Sequence, residues 1–257
     1  MSFLTPIRAA VSSLFVVLAT LVGAIAALII RVFDRTSDRV IDLARLWSRI
    51  VLGFAGVKVQ VQGANRLSRN QTYVFMANHL SAVDIWALYV ALPVRVRMIA
   101  KKQLSMIPLF GWAMASGRFI FVDRGNAVAA RRSIEEAKRR IRGGHSVLIF
   151  PEGTRSRDGR LGAFKKGGFH LAIDSGVPVV PVALVGTREC MPRSSLLLRS
   201  GVVRVTFGEP VPTTGLTDSD RHVLLERVRS TIGGMLSPEM APAKMPERAG
   251  EGGLRPT

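Results

Sequence analysis

The sequence predicts an α/β fold: a largely parallel or mixed sheet flanked by helices, with an N-terminal membrane-associated helical segment. Two observations support this prediction. From about residue 57 onward, short apolar stretches of strand character alternate with longer stretches of helical character, which is the order found in α/β domains. The stretch 9–30 contains no charged residue, and such a stretch is typical of a helix in contact with lipid.

Residues 1–56 form the predicted membrane anchor. At about 1.5 Å per residue, a helix over 9–30 would be about 33 Å long, enough to cross the hydrocarbon core. A cleaved signal peptide is the alternative, since "AIA" at 24–26 resembles a cleavage site, but the apolar stretch continues through Ile30. Residues 36–56 have charges recurring among apolar residues, as in an amphipathic helix on a membrane surface. Whether 9–30 crosses the bilayer or bends back within one leaflet stays open.

Charge predicts both partners and orientation. The chain has 36 Lys and Arg against 18 Asp and Glu, a net charge of +18, which favours nucleic acid, anionic lipid head groups or acidic substrates. Aromatic residues make up only 7%, which argues against nucleic acid. Arginines follow the apolar stretch at 31, 35, 39, 45 and 49, whereas only Arg8 precedes it. The positive-inside rule therefore predicts a cell inner-membrane protein whose following domain faces the cytoplasm.

Residues 57–236 form the predicted main domain. Its strand candidates are "VKVQVQG" (57–63), "TYVFMA" (72–77), "VRVRMIA" (94–100), "RFIFVD" (118–123), "SVLIFP" (146–151), "VPVVPVAL" (177–184) and "VVRVTFG" (202–208). Helices are predicted at about 82–91, 103–115, 126–142, 165–175 and 218–235. Pro, Gly and charged residues dominate 237–257, which predicts a disordered tail.

A histidine and an aspartate follow the second strand candidate, in "NHLSAVD". His79 would precede the next helix, and Asp84 would lie in its first turn. Ligands of open α/β sheets bind at the carboxyl ends of strands, and a histidine oriented by a carboxylate is suited to general-base catalysis. Ser81 and Asp84 also have the spacing of a capping box, which requires no chemistry. From this pair alone, both interpretations stay open.

Two further strand ends carry basic residues. "IFPEGTRSRDG" (149–159) places Arg155 and Arg157 beside a turn, and arginine binds phosphate through two N–H groups at once. "GRFIFVDR" (117–124) ends on Asp123 and Arg124. Ordinary strand-end turns with solvated arginines are the alternative. We find no nucleotide-binding glycine loop and no serine-hydrolase elbow in the sequence, and the histidine spacing does not indicate a metal site.

Taken together, these stretches resemble a known family. "NHLSAVD", "GRFIFVDR", "FPEGTRS" and "VPVVPVAL" occur in the order and at the intervals of the four motif blocks of the glycerolipid acyltransferases, the 1-acyl-sn-glycerol-3-phosphate acyltransferase family. The resemblance covers roughly 57–210, and "AKKQL" (100–104) and "FKKGGF" (164–169) resemble further family patterns.

The resemblance implies an enzyme of phospholipid biosynthesis that needs no cofactor. It would transfer a fatty acyl group from acyl-CoA or acyl-carrier protein to the sn-2 hydroxyl of 1-acyl-sn-glycerol 3-phosphate, giving phosphatidate. Its partners would be the lipid acceptor, the acyl donor and an anionic membrane surface. Other acceptors stay open: glycerol 3-phosphate, a lyso-amino-acid lipid or another lysophospholipid. A nonenzymatic membrane or nucleic-acid binder is a weaker alternative, because phosphate binding alone requires neither His79 nor Asp84.

The resemblance also implies roles for individual residues. His79 would remove the proton from the acceptor hydroxyl, and Asp84 would hold the imidazole ring and stabilise its charged form. The predicted substrate-binding residues are Lys101, Arg124, Glu152, Gly153, Thr154 and Arg155. Among them, Arg155 would bind the acceptor phosphate.

Overall fold

The computed structural model describes residues 4–34, 36–123, 125, 127–193, 195 and 197–241. These residues form the α-helices α1 (Leu4–Phe33), α2 (Asp38–Ala55), α3 (Val83–Ala91), α4 (Phe110–Ser116), α5 (Ala127–Arg142), α6 (Gly167–Ser175), α7 (Thr187–Cys190) and α8 (Arg221–Met235). The strands are β1 (Val57–Gln62), β2 (Val74–Ala77), β3 (Val96–Lys101), β4 (Ile120–Val122), β5 (Ser146–Ile149), β6 (Val179–Val185) and β7 (Gly201–Phe207). Short 3₁₀ helices span Ala64–Arg66, Lys102–Met106 and Asp218–Asp220.

The seven strands form one mixed sheet in the order β1-β7-β6-β2-β5-β3-β4. Strands β2 to β6 run parallel to one another, whereas β7 is antiparallel to β6 and β1 is parallel to β7. Each stretch predicted as a strand overlaps one of the observed strands. The mixed sheet with helices on its faces confirms the predicted fold class.

Side chains of β2 show why the fold has three layers. Phe75 and Ala77 point into an apolar cluster shared with α2 and α3. Val74 and Met76 point to the opposite face, into a cluster with α5, α6 and α8. All four residues are buried, because a parallel strand in the middle of a sheet is covered on both faces.

The helix predicted at 103–115 is in fact two elements. The 3₁₀ helix Lys102–Met106 is followed by a turn, and α4 begins only at Phe110. Pro108 explains the break, since proline disfavours helical backbone in the residue before it, and Ile107 is extended with φ −74° and ψ 116°. Gly111 then packs so closely that a β-carbon there would lie 2.3 Å from the Ser105 carbonyl oxygen.

Helices α1 and α2 form an antiparallel hairpin. The rings of Phe15 and Phe54 stack with centroids 3.9 Å apart. The carboxylate of Asp34 closes the turn by accepting hydrogen bonds from the backbone N–H groups of Thr36 (2.9 Å) and Arg39 (3.1 Å). Among the described residues, one helical stretch, Ala10–Phe33, is long and apolar enough to cross a membrane by length and composition. This apolar helix indicates membrane association.

The hairpin packs against the rest of the chain. Helix α1 contacts α4, α2 contacts α3, and the Leu198 N–H donates to the Ser13 hydroxyl at 3.3 Å. Helix α2 ends at Ala55, and β1 begins at Val57. The division into an anchor, a main domain and a tail remains a prediction, and residues 242–257 of that tail lie outside the described residues.

Candidate active site

The carboxyl ends of the five mutually parallel strands lie along one edge of the sheet. His79 follows β2 and Glu152 follows β5, which is paired with β2. Lys101 ends β3, and Asp123 follows β4. Most of the residues predicted for the site are therefore brought to this edge by the parallel pairing alone.

His79 and Asp84 are directly hydrogen bonded. The distance from His79 Nδ1 to Asp84 Oδ2 is 2.7 Å, and the Asp84 side chain is fully buried while that of His79 is 17% exposed. Because an ionised carboxylate can only accept, we assign the proton to Nδ1, which leaves Nε2 as an acceptor. The imidazole ring also stacks on Phe150, with centroids 4.0 Å apart and an angle of 17° between the planes.

Asp84 also holds the turn that precedes its own helix, α3. Its Oδ2 accepts from the backbone N–H groups of Leu80 (2.6 Å) and Ser81 (2.8 Å). The Ser81 hydroxyl accepts from the Val83 N–H at 3.2 Å and donates to the Met191 carbonyl at 2.6 Å. The reciprocal bond of a full capping box, from the Asp84 N–H to Ser81, is replaced by the bond to Val83. A single carboxylate oxygen thus both holds this turn and orients the histidine.

Glu152 connects the histidine segment to the "FPEGTRS" segment. Its Oε1 accepts from the His79 N–H at 2.8 Å, and its Oε2 accepts from the Gly162 N–H at 2.9 Å. The Ser156 N–H donates in turn to the His79 carbonyl at 2.7 Å. Glu152 is 7% exposed, and this burial raises its pKa above the ordinary value, although the two N–H groups oppose the shift. Since backbone groups occupy both oxygens, the contacts of Glu152 are those of a positioning residue.

Asn78 connects the histidine segment to strand β6. Its side-chain amide donates to the Leu184 carbonyl at 3.0 Å, and its side-chain oxygen accepts from the Leu184 N–H at 2.7 Å. Asn78 is 1% exposed, and Leu184 belongs to β6. Asn78 was not predicted to have a role, and its place directly before His79 is the only signal in the sequence that points to one.

The "PEGTRS" turn borders an open cleft of about 600 Å³. Gly153 has a φ of 74°, a conformation that favours glycine because residues with a β-carbon seldom adopt it. Thr154 is exposed, and Arg155 is partly exposed. The basic side chains that line the cleft are Arg155, Arg157, Arg160 and Arg229.

Arg229 was not predicted from the sequence. It lies on α8, where its Nε donates to the Gly162 carbonyl at 3.4 Å, and no motif surrounds it. Of the other predicted binding residues, Lys101 is exposed at the end of β3. Strand β5 lies between β3 and β2, so these two strands are about 10 Å apart. Arg124 lies outside the described residues.

The site contains no usable thiol. Cys190 is fully buried, and burial raises its pKa to about 11, so almost no thiolate forms at neutral pH. Within the described part of the chain, no cluster of three or more His, Cys, Asp or Glu side chains is arranged to hold a metal ion. The available chemistry is that of an oriented imidazole beside a cationic cleft.

Comparison with known proteins identifies the family. The model described as "Acyltransferase" matches residues 58–185, a range that contains all four motif blocks. The chain belongs to the acyltransferase family. The membership predicted from the motif blocks is confirmed.

Relatives of this acyltransferase carry a more specific name. It is 38% identical over 171 residues to 1-acyl-sn-glycerol-3-phosphate acyltransferase BAT2 of Brassica napus, covering 66% of this chain and 49% of that protein. It is 34% identical over 180 residues to 1-acyl-sn-glycerol-3-phosphate acyltransferase alpha of Homo sapiens, covering 69% and 63%. The chain thus spans about half to two thirds of the length of the curated relatives that it matches.

A solved structure has a similar fold. The acyltransferase superposes on the 1-acyl-sn-glycerophosphate acyltransferase PlsC of Thermotoga maritima with a TM-score of 0.73 and 25% identity. The match covers 88% of this chain and 96% of that one, so the similarity extends beyond the segment that the family model describes.

Proposed function

We propose that the protein is a membrane-bound 1-acylglycerol-3-phosphate O-acyltransferase. It would transfer a fatty acyl group from acyl-CoA or acyl-carrier protein to the sn-2 hydroxyl of 1-acyl-sn-glycerol 3-phosphate, giving phosphatidate. The observation that carries the proposal is the 2.7 Å bond from His79 Nδ1 to Asp84, which leaves Nε2 as an acceptor. The His79 backbone is bonded to Ser156, which lines the arginine-rich cleft. The names of the relatives support the same activity.

In the proposed mechanism, the acceptor hydroxyl attacks the thioester directly. His79 Nε2 takes the hydroxyl proton while the oxygen bonds to the thioester carbonyl carbon. The carbon–sulfur bond then breaks, and the imidazolium returns the proton to the leaving thiolate. The buried Asp84 carboxylate stabilises the imidazolium between these steps, and Glu152 keeps the His79 backbone in place.

Acceptor recognition is assigned to the cationic cleft. Arg155 would bind the phosphate of the acceptor, because a guanidinium presents two parallel N–H groups to phosphate oxygens. Gly153 and Thr154 would shape the turn that places Arg155. Lys101 and Arg124 would add positive charge at the same edge of the sheet. A phosphate-free acceptor would gain nothing from these groups.

The helical hairpin would hold this site at the bilayer surface. Because α1 contacts α4 and Leu198 as well as α2, a perpendicular crossing would draw the main domain into the hydrocarbon core. Exposed Leu46, Ile50 and Phe54 on α2 extend the apolar surface of α1. This packing supports an arrangement in which both helices lie within one leaflet. We assign the protein to the cytoplasmic face of the inner membrane, as the arginines after α1 predict.

An acyl-transfer assay with the purified protein tests the function. The assay pairs each donor, acyl-CoA and acyl-carrier protein, with lysophosphatidate, glycerol 3-phosphate and lysophosphatidylcholine in matched vesicles or buffer. We expect phosphatidate formation to dominate and to disappear in His79→Ala. Preference for a different acceptor would reassign the substrate, whereas absence of transfer with every pair, in folded protein, would contradict the proposed activity.

A further inference from the structure

Three exposed apolar side chains, Met106, Ile107 and Trp112, lie beside the membrane hairpin, and we refer to them as the apolar ridge. Their exposed fractions are 74%, 45% and 56%. The ridge begins five residues after Lys101, the last residue of β3, and it ends on α4. It therefore connects the carboxyl edge of the sheet, where the candidate active site lies, with the helix that α1 packs against.

The backbone between these residues is held in an unusual conformation. Leu109 has φ 61° and ψ −56°, which a residue with a β-carbon seldom adopts and which tends to persist where function requires it. Gly111 packs against the Ser105 carbonyl oxygen, where any β-carbon would collide. Met106 and Ile107 are thus presented outward by a fixed turn.

We propose that the apolar ridge is a second membrane-contact element, which inserts into the lipid interface next to the mouth of the active site. Helix α4, which carries Trp112, packs against α1, and Leu14, Leu18 and Ile25 are exposed on α1. The neighbouring Lys101 and Lys102 are exposed, and lysine beside tryptophan is the composition that favours a head-group region. A lipid bilayer therefore fits both the apolar and the charged part of this surface.

The consequence concerns access of the lipid acceptor. The hairpin alone would attach the protein to the membrane but would leave the edge of the sheet free to tilt. Contact at the ridge adds a second point of attachment beyond the end of β3, and β3 lies about 10 Å from β2, the strand that precedes His79. The acceptor could then pass from the leaflet to the cleft without entering bulk water. This step rests on the proposed function, whereas the membrane contact itself does not.

Tryptophan fluorescence tests the contact directly. The chain has three tryptophans; Trp86 is 7% exposed, and Trp47 lies on the hairpin helix α2. In the Trp47→Phe background, only Trp86 and Trp112 emit. We expect vesicles of phosphatidylcholine and phosphatidylglycerol that carry bromine atoms near the head group to quench the emission of Trp112. Adding Trp112→Phe should abolish this quenching and leave the unquenched emission of Trp86.

Two outcomes of this measurement would overturn the proposal. Emission of Trp112 that is unaffected by brominated lipid, in protein shown to float with the vesicles, would place the ridge outside the membrane. Shielding of Trp112 from both brominated lipid and aqueous acrylamide would indicate a second copy of the chain as the partner. Neither outcome bears on the proposed acyl transfer.

Activity measurements test the consequence. We expect the rate on acceptor embedded in vesicles to fall about ten-fold or more in a variant with Met106→Ser, Ile107→Ser and Trp112→Ser. These substitutions remove most of the apolar area that the ridge would place in contact with lipid. Its rate on a short-chain soluble acceptor should stay within about two-fold. Val128→Ser with Val223→Ser, at exposed positions on α5 and α8, is the matched control and should change neither rate. An equal loss on both acceptors would contradict a membrane role.

Discussion

Replacement of Asp84 by asparagine separates the two roles that its Oδ2 combines. The asparagine oxygen can occupy the Oδ2 position and accept from Leu80, Ser81 and His79 as the carboxylate does. Its NH₂ group then takes the place of Oδ1, which has no hydrogen-bond partner among the described residues. We expect this buried, unpaired group to lower the free energy of unfolding by about 1–3 kcal/mol. The fold and the turn before α3 should survive.

The effect on catalysis should be much larger. Asparagine carries no charge to stabilise the imidazolium, so we expect kcat to fall by about 10²–10⁴. The assay is the initial rate of phosphatidate formation, with unfolding followed by circular dichroism. Ser81→Ala is the control, because it removes the bonds to Val83 and Met191 but leaves Asp84 on His79. It should cost about 0.5–2 kcal/mol of stability with kcat within a few fold of the parent. If Asp84→Asn lowers only the stability, Asp84 is a helix cap and the catalytic reasoning is wrong.

Three further predictions concern the cleft, the hairpin and the buried glutamate. Arg155→Gln should raise KM for lysophosphatidate about ten-fold, from the loss of about 1.5–3 kcal/mol of charged hydrogen bonding, and an effect confined to KM for the donor would reassign this arginine. Asp38→Ala should lower the free energy of unfolding by about 3–5 kcal/mol, because it leaves the fully buried guanidinium of Arg97, which it contacts at 2.7 Å, without this partner. The control, Asp42→Ala, removes an exposed partner of Arg95 and should cost at most about 1 kcal/mol. Equal losses in the two variants would contradict this reasoning. Burial raises the pKa of Glu152 on folding, so the folded state keeps this proton to a higher pH than the unfolded chain. The stability of the parent relative to Glu152→Gln should therefore fall as pH rises above the ordinary glutamate value of about 4.3. Melting curves at several pH values that show the opposite slope would refute the assignment.

Most of the fold could be predicted because the strands of this chain are short, apolar and separated by clear helical stretches. The direction of β7 could not, since an apolar alternation such as "VVRVTF" is compatible with parallel and antiparallel pairing alike. The break at Pro108 was visible in the sequence, but the apolar residues on both sides continue a helical period and favour one helix.

The candidate site was predictable where one local motif places the chemistry. His79 and Asp84 lie five residues apart, and the strand before them fixes the edge of the sheet. Contacts between distant segments were not predictable: Glu152 bonds to His79 across 73 positions, and Arg229 reaches the cleft from α8. For Glu152 the family resemblance implies substrate binding, which stays a prediction, and only the placement of its two oxygens on backbone N–H groups adds a positioning role.

The most direct test of general-base catalysis by His79 compares the parent with His79→Ala in the same vesicles. The side chain is partly exposed, and the backbone bond to Glu152 does not require it, so we expect the variant to keep its melting temperature and its attachment to vesicles. The rate of phosphatidate formation should fall by about 10²–10⁴, with KM for lysophosphatidate nearly unchanged. A folded, membrane-attached variant whose rate stays within a few fold of the parent would contradict the claim that His79 is the base.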